Sequence, residues 1–202
     1  MRVGGWASET SCDARLPSVM ADGMHATRHI RNLALAGFMG VGKSTVGRMV
    51  CEHLGFEFVD TDERIEREAG RSIREIFADH GEEVFRSMER KLVQSLADRE
   101  GLVISTGGGL IVDPESLASL QRHALVVCLW ASTETIYERV RHMTHRPLLQ
   151  TPDPLARIRE LLAAREPAYR QADVLIGVET RSAREVAQHV VHQFNLMRHV
   201  AK

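Results

Sequence analysis

The chain has 202 residues, 44% of them apolar and 26% charged, with 15 Gly and 6 Pro. That is the composition of a folded domain, and it excludes collagen-like, low-complexity and largely disordered chains. The 26 basic and 27 acidic residues leave a formal charge of −1, so no overall field draws the protein to nucleic acid or to an anionic membrane.

The longest apolar run, 124–131, is too short to cross a bilayer. Three scattered cysteines (Cys12, Cys51 and Cys128) form no disulfide framework, so a reducing, cytoplasmic compartment is expected. Residues 1–29 mix Gly, Ser and Pro with isolated apolar residues and read as a disordered leader. A single domain is expected over 30–197.

Within that domain short apolar runs alternate with amphipathic segments of helical length. Residues 33–36 read as a buried strand ending at Gly37, followed by a helix over 42–53 that Gly55 stops. A short strand is expected at 57–60. Ser72 and Glu75 have capping-box spacing for a helix to about His80. A separate long helix is expected over 82–100, with Val84, Phe85, Met88, Leu92 and Leu96 on one side.

A third strand, 102–105, meets Gly107-Gly108-Gly109, and Asp113-Pro114 opens another helix. Residues 124–129 read as a central strand covered on both faces. Helices at 132–142 and 154–166, the second broken at Pro167, flank a segment carrying Pro147, Pro152 and Pro154. A last strand lies at 174–178, and Ser182 with Glu185 caps a final helix. Strands joined by helices predict a three-layer α/β/α domain with a five-stranded parallel sheet.

Residues 37–45, Gly-Phe-Met-Gly-Val-Gly-Lys-Ser-Thr, fit the phosphate-loop pattern G-x-x-x-x-G-K-[ST]. Glycines let consecutive amides curl around phosphate oxygens, and the following helix N-terminus adds partial positive charge. Lys43 then reaches the β- and γ-phosphates, and the Ser44 hydroxyl suits Mg²⁺. Asp60 and Asp62 follow the second strand, at the carboxyl end of a parallel sheet where ligands bind. From position alone, Asp62 fits a helix cap and a carboxylate facing the γ-phosphate equally well.

Gly107, Gly108 and Gly109 allow either a tight turn or a close approach of backbone to a ligand. Arg146 lies on a Pro-bounded loop of the sort that closes over phosphates, and Arg165 lies near the end of a helix. The histidine pairs His142/His145 and His189/His192 lack further ligands and read as solvated helix faces.

Together the segments 37–48, 60–62, 70–77, 81–89, 105–109, 146–149 and 165–169 closely resemble the shikimate kinase family, small P-loop kinases of the nucleoside-monophosphate kinase type. The resemblance runs from about Asn32 to Phe194. It implies a substrate-binding insertion at about 61–90 and a mobile lid at about 140–155. The implied activity is ATP-dependent phosphorylation of the shikimate 3-hydroxyl, on the route to chorismate and the aromatic amino acids.

It further implies that Gly40, Val41, Gly42, Lys43, Ser44, Thr45, Arg139, Arg146 and Arg181 bind ATP, with Arg139 against the adenine. Asp62 would bind the acceptor hydroxyl as base. Arg86 and Arg165 would clamp the carboxylate, Gly107 to Gly109 would line the pocket, and Phe77 and Phe85 would face the ring. Ser44 and Asp60 would organise Mg²⁺. A monomer with only small-molecule partners is implied. A related small-molecule kinase, such as a gluconate kinase, and a nucleotide-binding module without turnover are the competing readings.

Overall fold

A computed structural model of the chain describes residues 28–142 and 151–200. Its elements are β1 (Asn32–Ala36), α1 (Lys43–Leu54), β2 (Glu57–Asp60), α2 (Thr61–Ala69), α3 (Ile73–Leu96), β3 (Leu102–Ser105), α4 (Pro114–His123), β4 (Ala124–Trp130), α5 (Thr133–Val140), α6 (Pro154–Tyr169), β5 (Val174–Gly177) and α7 (Ala183–Val200). A single 3₁₀ turn, Leu110–Val112, precedes α4.

The strands form one parallel sheet in the order β2-β3-β1-β4-β5. β1 and β3 are buried along their whole length, as is β4 up to its last residue, Trp130, which is why they read as unbroken apolar runs.

The order locates the ligand crevice. Parallel crossovers are right-handed, so reversing the direction of travel across the sheet moves the connecting helix to the other face. The chain leaves β1 toward β2 through α1, then reverses, travelling from β2 to β3, β4 and β5. The two directions part between β1 and β3, and the crevice beyond their carboxyl ends is where an α/β sheet takes its ligand. The segments that emerge there are 37–42 and 107–109.

Several boundaries follow from local chemistry. Gly55 ends α1 in the left-handed region at φ 66°, and Ser72 and Glu75 exchange the reciprocal bonds of a capping box. Ser182 and Glu185 make the same exchange before α7.

Three expectations change. The two helices expected to either side of residue 81 are present in α3 and meet at Gly81 (φ 79°, ψ 175°), its one non-helical residue, but the second stops at Leu96 rather than 100. Gly81 makes the bend because it alone tolerates that φ without a Cβ clash. Helix α2 was not anticipated. Its sequence is so charged that only Thr61 and Ile65 are buried, leaving almost no apolar period to read. Helix α6 continues through Pro167 to Tyr169, whose side chain is fully buried and holds the last turn in place. The segment expected to form the lid lies largely outside the described residues, as does the leader up to residue 27.

Candidate active site

The loop after β1 has the backbone that the phosphate pattern needs. Gly37, Gly40 and Gly42 take φ values of 128°, 77° and 97°, in the region that side chains rarely adopt. Gly42 has no side chain to cap α1, so the first-turn amides of the helix are left for an incoming anion. Lys43 Nζ donates to the carbonyls of Gly37 (2.9 Å) and Phe38 (3.0 Å), folding the ammonium back over the loop. The described residues carry Val41 and Thr45 at the same turn, Val41 buried and Thr45 exposed at the start of α1.

Beside this loop, hard oxygen donors gather. Register pairs Asp60 and Leu35 with the same residue, Ser105, so the ends of β2, β3 and β1 are level. Ser44 Oγ donates to Asp60 Oδ2 at 3.1 Å and lies 3.4 Å from Ser105 Oγ. Two hydroxyls and a carboxylate beside a phosphate loop are the donor type that Mg²⁺ prefers.

Asp60 also caps α2, its Oδ1 accepting from the amides of Asp62 (3.1 Å) and Glu63 (3.5 Å). Of the two acids it is therefore Asp60, not Asp62, that takes the capping role. Asp62 Oδ1 is buried and turns toward the third-strand glycines. Thr61, between the two acids, accepts from the amide of Gly107 at 2.9 Å and ties α2 to that turn.

The three glycines make room for three functional side chains. None of them has a positive φ, so a tight turn alone does not demand them. A Cβ on Gly107 would stand 2.5 Å from Asp62 Oδ1 and 3.2 Å from Glu89 Oε1. On Gly109 it would stand 2.8 Å from Arg86 Nη2. On Gly108 it would stand 3.6 Å from Arg165 Nη1, and equally far from Gly37 O and Met39 N of the phosphate loop. Asp62, Arg86 and Arg165 therefore meet along one turn, with the phosphate loop as its neighbour.

Arg86 is tethered. It donates to Glu82 Oε1 from Nη2 (2.8 Å) and to Glu89 Oε2 from Nη1 (2.6 Å). Burial opposes the Arg86 charge, but the two carboxylates outweigh it and raise the pKa. Arg165 Nη1 donates to Gly108 O (3.2 Å), and its guanidinium lies over the Phe38 ring, 5.4 Å from the centroid. Phe77 and Phe85 contact each other at 4.9 Å, with Phe77 exposed and Phe85 buried.

On the other flank, Arg139 donates to Val178 O (3.1 Å) and Gly40 O (3.5 Å), linking the phosphate loop to the segment after β5. Arg181 donates to Gly177 O in that segment. Arg146 lies outside the described residues.

Two site residues escaped the sequence reading. Glu89 is 1% exposed, and burial pushes its carboxyl up to about 6 although Arg86 pulls the other way. The signal was its three-residue spacing from Arg86 on a helix. Tyr169 is fully buried with its hydroxyl on Gly108 O, and no local pattern marks it.

Among the described residues no helix is long and apolar enough to cross a membrane.

The model of the family described as shikimate kinase matches residues 39–195. The chain is 48% identical to a shikimate kinase of Thermus thermophilus over 168 residues, covering 83% of this chain and 90% of the relative. It is 41% identical to one from Thermodesulfovibrio yellowstonii over 165 residues, 82% of this chain and 95% of the relative. Among solved structures, shikimate kinase from Acinetobacter baumannii in complex with shikimate superposes with a TM-score of 0.78 at 38% identity. That match covers 85% of this chain and 96% of the other. Fold, phosphate loop and these matches over most of the length agree, and the chain belongs to the shikimate kinase family.

Proposed function

We propose that the protein transfers the γ-phosphoryl group of ATP to the 3-hydroxyl of shikimate, giving shikimate 3-phosphate and ADP for the synthesis of chorismate and the aromatic amino acids. The observation that carries this reading is the grouping of Asp62, Arg86 and Arg165 along the Gly107–Gly109 turn, against the phosphate loop. One carboxylate and two guanidinium groups are what a hydroxy acid requires of its site.

Phosphoryl transfer asks little covalent chemistry of a protein, so positioning and charge neutralisation dominate. The loop amides and Lys43 bind the β- and γ-phosphates. Arg139 and Arg181, on the β4–β5 flank, flank the adenine. Arg86 and Arg165 hold the acceptor carboxylate by paired N–H donation, Phe77 and Phe85 flank its ring, and Asp62 accepts the proton from the 3-hydroxyl. Arg146 neutralises charge on the transferring group from the lid. Ser44, and Asp60 through water, would hold Mg²⁺, which would supply neutralisation of phosphate charge when bound. The enzyme acts as a cytoplasmic monomer.

ADP release from the purified protein with Mg-ATP tests the reading, comparing shikimate, gluconate and no acceptor. Stimulation by shikimate alone is expected. Equal stimulation by gluconate, or none by either, overturns it.

A further inference from the structure

We propose that Tyr169 is a positioning residue for the acceptor: its hydroxyl, by holding the carbonyl of Gly108, fixes the Gly108–Gly109 peptide and so the spacing of the Arg86–Arg165 carboxylate clamp. The inference rests on the shikimate reading above.

Tyr169 is the last residue of α6 and is fully buried, its ring meeting Trp130 edge-on with centroids 6.3 Å apart. A buried phenol needs a partner for its O–H. It finds one in Gly108 O at 2.6 Å. Burial also drives the phenol up to about 12, so the hydroxyl is a donor at any pH where the protein works. Arg165, one helical turn earlier, donates to the same carbonyl at 3.2 Å. A carbonyl has two lone pairs, and α6 supplies a donor for each.

The peptide so held is one of the softest in the chain. It joins two glycines, whose dihedral angles are the least restricted. In a planar trans peptide the N–H points opposite to the C=O, so a carbonyl pinned by Tyr169 directs the Gly109 amide away from that hydroxyl. Rotating the unit by half a turn would release Arg165 and turn the Gly109 N–H toward its guanidinium in place of the carbonyl, setting donor against donor. It would also shift Gly109, where even a Cβ would stand 2.8 Å from Arg86 Nη2. The hydroxyl excludes that rotated state. Packing of the ring on Trp130 cannot do so, because packing has no polarity.

Tyr169→Phe keeps the ring and removes the hydroxyl. The expected result is a KM for shikimate raised about tenfold, with kcat and the KM for ATP within twofold of the parent. The decisive readout is the ratio of kcat/KM for shikimate to that for shikimate methyl ester, which lacks the carboxylate charge. That ratio should narrow in Tyr169→Phe, because the loss falls on the clamp. Trp130→Phe, which alters the packing against the ring and leaves the Tyr169 hydroxyl in place, should lower thermal stability and leave the ratio unchanged.

An unchanged ratio in Tyr169→Phe overturns the inference, as does a loss shared equally by acid, ester and ATP. A ratio narrowed in Trp130→Phe assigns the effect to packing and overturns it too, even if Tyr169→Phe should fail to fold. A parent enzyme inert toward shikimate would sink the proposed function itself. An active parent with an unaltered ratio in the variant sinks only this inference.

Discussion

Arg86 Nη1 donates to Glu89 Oε2 across 2.6 Å, and that carboxylate is almost wholly enclosed by protein. The guanidinium proposed to grip the acceptor is thus held in place by a buried charge of opposite sign. Glu89→Gln keeps the shape and removes the charge. It should raise the KM for shikimate about tenfold and leave the KM for ATP near its parent value. Glu89→Ala leaves the arginine with its exposed partner Glu82 alone and should cost about 3 kcal/mol in urea unfolding. An unaltered KM in the Gln variant would show that Arg86 needs no tether.

Lys43 presents the loop's only ammonium. Lys43→Ala should lower kcat by about 10²–10³-fold, the cost of one donor aimed at transition-state charge. The fold should survive, since the bonds from its ammonium to Gly37 O and Phe38 O lie within the loop. Near-UV circular dichroism and single-turnover kinetics on the same preparation check both halves.

Gly107 and Gly109 should fail differently when given a Cβ. Gly107→Ala pushes on Asp62 and should depress kcat, whereas Gly109→Ala pushes on Arg86 and should raise the KM for shikimate. Each effect should reach at least tenfold, a distortion of a few tenths of an ångström at a reacting group being enough. Identical kinetic signatures from the two variants would mean that the turn acts as a whole.

His123 makes stability fall on the acid side. It is 2% exposed, and its Nδ1 lies 3.0 Å from Asn32 Nδ2. The Asn32 amide cannot turn over, because Oδ1 accepts from Leu102 N and Nδ2 donates to Arg99 O. Nδ1 must therefore stay an acceptor. Burial, reinforced by Arg31, Arg122 and Arg28, lowers the ring from 6.5 to about 4.

The unfolded chain takes up this proton below about 6.5 and the folded chain only near 4, so stability is complete above 6.5 and declines between them. By pH 4.5 the loss should be about 2–3 kcal/mol. Glu89 works the opposite way between about 6 and 4.5, since its folded carboxyl binds a proton first. Comparison of urea unfolding at pH 7 and pH 4.5 with His123→Gln isolates the histidine. Parallel pH slopes in the two proteins would contradict the assignment.

What could be read in the sequence was what short segments decide for themselves. Gly55, the Ser72–Glu75 box and Pro114 act within a turn of their own position, and all three end or begin helices as their chemistry predicts. The glycine pattern of the phosphate loop is likewise local. The acidic helix Thr61–Ala69 was missed because its burial comes from one isoleucine and a threonine, too few to make a period. Tyr169 was missed because its role depends on a partner from another element, Gly108, whereas Glu89 had a local signal in its spacing from Arg86. The glycines were expected to allow close approach of backbone to a ligand, and their missing Cβ positions also make room for Asp62, Arg86 and Arg165.

The crevice has a mechanical consequence. Arg86 stands on α3, between β2 and β3, whereas Arg165 stands on α6, between β4 and β5. Their guanidinium groups approach neighbouring glycines of a single turn, so at the crevice two helices from opposite sides of β1 meet through flexible side chains. On the proposed function, an acceptor carboxylate gripped by both would be a removable cross-link between segments far apart in the chain. Substrate would then do for this protein what a disulfide does for a secreted one, and its occupancy should raise the melting temperature with ligand concentration.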